Sequence, residues 1–276
     1  MDKRVLTVQD VSCVGQCSLT VALPIISAFG IETAIIPSAV LSTHTGGFKN
    51  FTFRDLTEDL PLIEKHWISE KIKFDYFYTG YVGSAKQLEY ISGIFKSCAN
   101  DGAVTVVDPV MGDKGKLYVG FDDAFAKNMA KFCGNADVIL PNLTEAAFML
   151  GEEYVESGYD KAYIEGMLKK LKGLGAKRVV LTGVMLEKGK IGVAVYDGSK
   201  FEYYFNEYLP VQMHGTGDVF ASAFVGSLAR GKSDIAAAKI AADFVVDCIK
   251  ATIGDDSHWY GVKFEKALPN IFKYLT

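Results

Sequence analysis

The sequence predicts a three-layer α/β/α sandwich around a central, mostly parallel sheet. Three observations predict it. Short β-rich runs alternate with longer helical segments along the chain. Several of the strand runs are continuously apolar, as strands covered on both faces are. The last two strand runs flank Asp197-Gly198, a turn that closes the sheet with an antiparallel pair.

In chain order, the first strand is expected over 4–9, around Val5-Leu6-Thr7-Val8, with a helix over 18–29 behind it. Strands at 33–40 and 74–80 come next; between them, Ile63-Glu64-Lys65-His66-Trp67-Ile68 reads as helical, with His66 on the surface and Trp67 in the core. A helix over 84–100 leads to a strand at 103–108, and one over 122–132 to a strand at 136–141. The helix at 143–150 begins with Asn142, a good N-cap, and with Glu145 three residues on, able to reach back to the cap amide. The helix at 161–173 precedes a strand at 177–183 built on Arg178-Val179-Val180-Leu181, then the strands 191–196 and 200–206. Helices over 218–230, 233–251 and 263–274 close the chain. With no linker or internal repeat, one domain over 1–276 is expected, without a separate lid domain.

Composition narrows the function classes. The chain of 276 residues is 49% hydrophobic and 22% charged, enough to bury a large core. A net charge of -4 and the lack of a basic run give no support for a nucleic-acid partner. Met1-Asp2-Lys3-Arg4 runs straight into the first strand without the apolar segment of a leader, and no stretch is long enough to span a bilayer, so no membrane partner and a cytoplasmic location are expected. Cys13, Cys17, Cys98, Cys133 and Cys248 are scattered and odd in number, which fits a reducing compartment; Cys13 and Cys17 lack a second pair to hold zinc.

Met213-His214-Gly215-Thr216-Gly217-Asp218 is the motif that organises the rest. Its glycines permit a sharp turn with exposed N–H groups, and the small-residue apolar run at 219–225 starts a helix behind them, so the amides of Gly215, Thr216 and Gly217 form an anion seat. A carboxylate at Asp218 repels a phosphate unless it has a task there, such as accepting a proton from an attacking hydroxyl. The alternative is a plain turn whose acidic residue suits a helix N-terminus. In parallel sheets, working groups gather at the carboxyl ends of the strands. Those ends carry Gln9-Asp10, then 42–47, Thr79-Gly80-Tyr81, 108–113, Pro141-Asn142 and Thr182-Gly183. Neither a G-x-x-x-x-G-K-[ST] nor a G-x-G-x-x-G after the first strand is present.

Six motifs in register carry a family resemblance: Val8-Gln9, Leu41-Ser42-Thr43-His44-Thr45-Gly46, Gly80-Tyr81-Val82-Gly83-Ser84, Asp108-Pro109-Val110-Met111-Gly112-Asp113, Pro141-Asn142-Leu143-Thr144-Glu145 and Gly215-Thr216-Gly217-Asp218. Over about 5–251 the chain resembles the pyridoxal kinases, the vitamin-kinase branch of the ribokinase-like superfamily. The resemblance implies ATP-dependent phosphorylation of the 5′-hydroxymethyl of pyridoxal, pyridoxine or pyridoxamine. Asp218 would activate that hydroxyl, and the amides of Gly215, Thr216 and Gly217 would hold the developing charge. It also implies Mg²⁺ near Asp108, Asp113 and Glu145, directly or through water. Nucleotide contacts are implied at Asp108, Asp113, Tyr118, Asn142, Glu145 and Thr182, with 114–118 as a flap over ATP. Vitamin contacts are implied at Asp10, His44, Thr45 and Tyr81. A homodimer is the usual family assembly, and a monovalent cation is an optional further ligand, although no residue singles out its site.

Each position has a bland counterpart. Asp-Pro and Gly-Asp are ordinary turn formers, 114–118 could be a solvated loop, and Asn142 with Glu145 could be only a capping box. Thr182 could be a polar strand end, Tyr81 core, His44 a satisfied loop histidine and Thr45 a turn residue. The chain also departs from the family: Asp10 stands where a serine is usual, the segment 12–18 lacks a glycine-asparagine pair, and Leu140 replaces a threonine. A carboxylate at Asp10 favours a protonated partner, hence pyridoxamine or a protonated ring. Hydroxymethylpyrimidine kinase is the nearest enzymatic alternative, and a non-catalytic vitamin- or nucleotide-binding module the alternative of another class.

Overall fold

The computed structural model describes residues 3–275; Met1 and Asp2, where the leaderless start was expected, and Thr276 lie outside them. The chain opens with β1 (Arg4–Ser12), α1 (Leu19–Ala28), β2 (Glu32–Leu41) and β3 (Phe53–Asp55), then α2 (Leu60–Ser69), β4 (Phe74–Thr79), α3 (Ala85–Ser97) and β5 (Ala99–Val107). A small hairpin of β6 (Gly112–Asp113) and β7 (Lys116–Leu117) leads to α4 (Asp123–Cys133), β8 (Val138–Ile139), α5 (Leu143–Leu150) and α6 (Lys161–Gly173). β9 (Arg178–Val184), β10 (Lys190–Tyr196), β11 (Phe201–Glu207), α7 (Thr216–Ala229) and α8 (Asp234–Thr252) follow, and α9 (Phe264–Ala267) and α10 (Phe272–Leu275) end the described chain.

The main sheet has the order β11-β10-β9-β8-β5-β4-β1-β2-β3. It is parallel from β2 to β9 and antiparallel at both edges, where β3 pairs with β2 and the β9, β10 and β11 strands run alternately. The alternation of side chains along each strand separates two cores. Leu6, Phe77, Ile139 and Leu181 face one way, with Ile91 of α3, Met129 of α4 and Leu168 of α6. Val5, Tyr78, Val138 and Val180 face the other, with Val21 of α1, Phe224 of α7 and Phe244 of α8. Burying each large apolar side chain contributes about 1.5–3 kcal/mol, so these two layers supply the main driving force.

Residues 219–229 of α7 are all buried, which explains their small side chains: the helix lies between α1 and α8 as well as on the sheet. The chain goes from β1 outward to β2 and β3, then returns to the other side of β1 for β4, β5, β8 and β9. This reversal leaves a crevice at the carboxyl ends of β1 and β4, where ligands bind in open parallel sheets.

Four local expectations need correction. The helix expected over 263–274 is broken into α9, a 3-10 turn at Leu268–Ile271 and α10, because Pro269 cannot supply the N–H that a continuous helix requires. The helix expected to reach residue 100 stops at Ser97, and Ala99 already belongs to β5. The edge strand β3 was not foreseen; its residues are exposed and show no apolar period. Where a helix was read only at 63–68, α2 extends to Leu60 and is preceded by a 3-10 turn at Thr57–Asp59.

Candidate active site

Gly215 is the N-cap of α7 and adopts the left-handed conformation, φ 79° and ψ -1°. A Cβ there would run into the carbonyl oxygen of Gln16, so both the conformation and the space require glycine. The turn thus leaves the first amides of α7 without helical acceptors, an arrangement suited to an anion. Asp218 stands in this first turn, and its backbone oxygen accepts the Ser222 hydroxyl at 2.5 Å. Burial pushes its carboxyl up to about 7, with the nearby negative charge of Asp10 adding to the rise; the Ser18 amide and Cys17 thiol oppose it. Asp218 is therefore poised to titrate near neutral pH without any help from a bound phosphate.

Asp10 lies at the end of β1, 4% exposed, and accepts the Ser12 hydroxyl at 2.9 Å. Its carboxyl is also raised, chiefly by burial, against the Ser18 and Ser12 hydroxyls. The turn 12–18 thus supports both carboxyls. Cys17 points its thiol at Asp218, and burial together with the charges of Asp218 and Asp10 keeps that thiol protonated. Ser18, with φ 57°, holds a conformation that is costly for a residue with a Cβ, and in it donates to both sides. Ser12, Cys17 and Ser18 were not expected at the site; the one signal was their nearness to Asp10 in a segment that departs from the family pattern.

On the other side of the crevice, Asn142 and Glu145 form the expected capping box of α5: Asn142 Oδ1 accepts the Glu145 amide and Glu145 Oε2 the Asn142 amide, both at 2.9 Å. The box also does something more. Glu145 Oε1 accepts the Met111 amide at 3.2 Å, and Asn142 Nδ2 donates to the Gly112 oxygen at 2.9 Å, so α5 holds the base of the β6–β7 hairpin. Asp108 is 7% exposed, and its carboxyl is lifted by burial and by the charges of Glu145 and Asp218. Burial likewise raises Glu145, against the amides that it accepts. Tyr118, just past the hairpin, is raised by burial and by Glu145, Asp113, Asp218 and Asp108 together. Thr182 meets Asn142 across a parallel bridge and donates its hydroxyl to Pro141, so it stands at the strand end beside the cap.

Could these carboxylates hold Mg²⁺? No group of three or more His, Cys, Asp or Glu side chains forms a ready-made metal cage among the described residues. Glu145 already serves backbone amides, and Asp113 is exposed, accepting the Lys114 amide at 2.9 Å. Asp108, however, is a buried carboxyl to which no side chain among the described residues donates a hydrogen bond. One such carboxylate, with Asp113 and Glu145 at hand, suits Mg²⁺, which usually keeps waters and takes phosphate oxygens to complete its octahedron.

Of the residues expected around a vitamin ring, His44 is buried, and both its nitrogens are engaged: Nδ1 accepts the Gly46 amide at 3.0 Å, which leaves Nε2 to donate to the Tyr260 oxygen at 2.7 Å. It therefore offers a ring face, not a free nitrogen. The ring meets Phe48 edge-on and His214 at a tilt, with centroids at 5.0 and 5.1 Å, and Trp259 stacks obliquely on Phe48 at 4.6 Å. His258-Trp259-Tyr260 thus closes over the 44–48 loop, while Gly46 and Gly47 leave room for His214 and Trp259. Tyr81 is half-buried against Phe121, and Asp10 is near enough to raise its hydroxyl after burial; Thr45 is exposed on the loop.

Replacing His44 by leucine is expected to strand a half-buried amide and a half-buried carbonyl, costing about 1–3 kcal/mol in urea unfolding. Burial lowers the His44 imidazole below its ordinary 6.5. A depressed base contributes stability above its unfolded value and loses it as pH falls, so this contribution should fade below about pH 6.5 in the wild type and be absent in His44→Leu.

The comparisons with known proteins agree with this geometry. Residues 26–261 match the family "Phosphomethylpyrimidine kinase". A Bacteroides thetaiotaomicron protein assigned as a phosphomethylpyrimidine kinase and crystallised with pyridoxal is 36% identical, with a TM-score of 0.93 over 99% of this chain and 96% of that one. Pyridoxal kinase from Lactobacillus plantarum is 33% identical, with a TM-score of 0.90 over 98% of this chain and 97% of that one. Pyridoxal kinase PdxY of Actinobacillus pleuropneumoniae is 28% identical over 91% of this chain and 89% of its own length. A helix-capped anion seat, a carboxyl poised beside it and these relatives lead to one conclusion: the chain belongs to the phosphomethylpyrimidine kinase family and is a kinase with the ribokinase-like fold of the pyridoxal kinases.

Proposed function

We propose that this single-domain kinase transfers the γ-phosphoryl group of ATP to the 5′-hydroxymethyl of a vitamin B6 compound. The observation that carries the reading is Asp218: a carboxyl held near pH 7 in the first turn of α7, beside the free amides of the Gly215 turn. The alcohol oxygen attacks the γ-phosphorus, its proton passes to Asp218, and the bond from that phosphorus to the β,γ-bridging oxygen breaks to release ADP. The amides of Gly215, Thr216 and Gly217 stabilise the charge spread over the transferred group. Asp108, with Asp113 and Glu145, would hold Mg²⁺, which neutralises phosphate charge when bound. Asn142, Thr182 and Tyr118 border the nucleotide. Asp10, Tyr81, Thr45 and the ring face of His44 border the vitamin.

Support for the vitamin comes from the pyridoxal in the Bacteroides structure and from the Lactobacillus enzyme's name. Hydroxymethylpyrimidine is the second reading, favoured by the family match and by the Bacteroides protein's assignment. The reading includes a cytoplasmic homodimer that binds no nucleic acid; no helix among the described residues is long and apolar enough to cross a membrane.

The test is ADP release from Mg-ATP with pyridoxal, pyridoxine, pyridoxamine and hydroxymethylpyrimidine, with each product identified by mass. A 5′-phosphate from at least one pyridine vitamer is expected. Because buried Asp10 favours a cationic partner, Asp10→Ser should reduce kcat/KM about tenfold for the most cationic vitamer, and less for the others. Equal, unchanged specificity constants in Asp10→Ser would sink the preference. ATP binding without turnover of any compound would return the chain to a binding module.

A further inference from the structure

The β6–β7 hairpin turns on two residues, Lys114 and Gly115, both in the left-handed region, with φ 51° and 73°. Such two-residue turns favour asparagine, aspartate or glycine at the first position, where a Cβ is strained. Lysine is a poor choice for the backbone here, so its side chain is the reason to look further. That side chain crosses the site: Nζ donates to Gln212 Oε1 at 2.8 Å. The hairpin is anchored on the α5 side, where Gly115 donates its amide to Thr144 Oγ1 at 2.9 Å and Asn142 holds Gly112. Gln212 belongs to the loop that leads, three residues later, into the Gly215 turn of α7. Lys114 thus links the hairpin held by the α5 cap to the loop that enters α7, whose uncapped first amides favour an anion.

The charge balance gives the bridge a purpose. Asp10, Asp108, Asp113, Glu145 and Asp218 all stand at this mouth, and a nucleotide triphosphate adds more negative charge. A metal ion offsets only part of that. The Lys114 ammonium lies across the mouth, and its partner there is a neutral amide, which it can leave at little cost. We propose that Lys114 is a nucleotide-phosphate-binding residue that exchanges Gln212 for the polyphosphate of ATP when the nucleotide enters. The proposal rests on the kinase reading of the site and adds to it the residue that supplies the protein's own positive charge.

Mg-ATP titration by calorimetry on the full chain tests it without any acceptor alcohol. Lys114→Asn suits the left-handed turn, so its melting temperature should equal or exceed that of the wild type, while its Kd for Mg-ATP rises about tenfold or more. Lys114→Arg should keep most of the affinity, because it keeps the cation. Gln212→Ala should bind as tightly as the wild type or more tightly, since it removes only the competing partner. Wild-type affinity in Lys114→Asn would overturn the proposal. So would a loss in Gln212→Ala as large as that in Lys114→Asn, since the contact would then act only as a brace for the hairpin. ADP release by the wild type with pyridoxal, measured alongside, reports separately on the vitamin reading: tight ATP binding that depends on Lys114, without turnover, would leave this inference standing and remove that one.

Discussion

Asp218→Asn is expected to abolish nearly all turnover, by about 10³-fold or more, while making the protein more stable at alkaline pH. The two effects share one cause. Asn keeps the volume but cannot accept the proton of the attacking alcohol, so kcat falls and Mg-ATP binding survives. The stability effect follows from linkage. Burial first, and Asp10 second, raise the Asp218 carboxyl from 3.8 to about 7 in the folded protein. A group raised by folding contributes stability that is complete below its unfolded value and is lost as pH rises through its folded value. Wild-type stability should therefore decline between about pH 4 and 7 through this residue, and Asp218→Asn should remove that decline. Its advantage should be absent near pH 4 and reach a few degrees in Tm at pH 8. The same ionisation should make wild-type kcat/KM rise with pH through about 7, and the small residual activity of Asp218→Asn should lack that rise. A variant that kept a tenth of the activity would remove Asp218 from the role of base.

Gly215→Ala carries the second large effect. The backbone there has φ 79°, and an added Cβ meets the Gln16 carbonyl, an atom of the main chain that cannot swing away. Relief requires either the 12–18 turn to retreat or Gly215 to leave the left-handed region. Both movements disturb the amides proposed to hold the transferred phosphoryl, and the first also displaces Cys17 and Ser18 from Asp218 and Asp10. Loss of one well-aimed donor costs about 10²–10³-fold in kcat, so a loss of that order is expected, together with about 2–4 kcal/mol of stability. Urea unfolding and steady-state kinetics on the same preparation separate the two. Gly217→Ala is the control: that glycine has open space where a Cβ would go, and the fold should accept it.

The sheet was legible in the sequence because its inner strands are continuous apolar runs that alternate with helices of ordinary length. The ends of α9 and β3 were less so, since a proline within a helical pattern and three exposed residues at an edge leave little periodic signal. At the site, the Gly-Thr-Gly-Asp turn and the Asn142–Glu145 cap were readable because their chemistry is local: a left-handed turn and a capping box are written within four residues. What could not be read was what arrives from elsewhere in the chain. Trp259 and Tyr260 reach the 44–48 loop from more than two hundred residues away, and Cys17 and Ser18 reach Asp218 from the opposite end of the sequence. His44 shows the difference well. Its place in the loop after β2 was legible, but the Tyr260 carbonyl that takes its Nε2–H was not, and that bond leaves the imidazole without a free nitrogen.

The measurement that bears most directly on the central claim is a competition in one tube, with limiting Mg-ATP and equal concentrations of pyridoxal and hydroxymethylpyrimidine, the phosphorylated products being quantified by mass spectrometry. Competition reads the ratio of specificity constants and is insensitive to the fraction of active protein. A product pool dominated by pyridoxal 5′-phosphate, and lost in Asp218→Asn, is the result this account predicts. A pool dominated by the pyrimidine phosphate would contradict it and assign the same fold, anion seat and base to the pyrimidine.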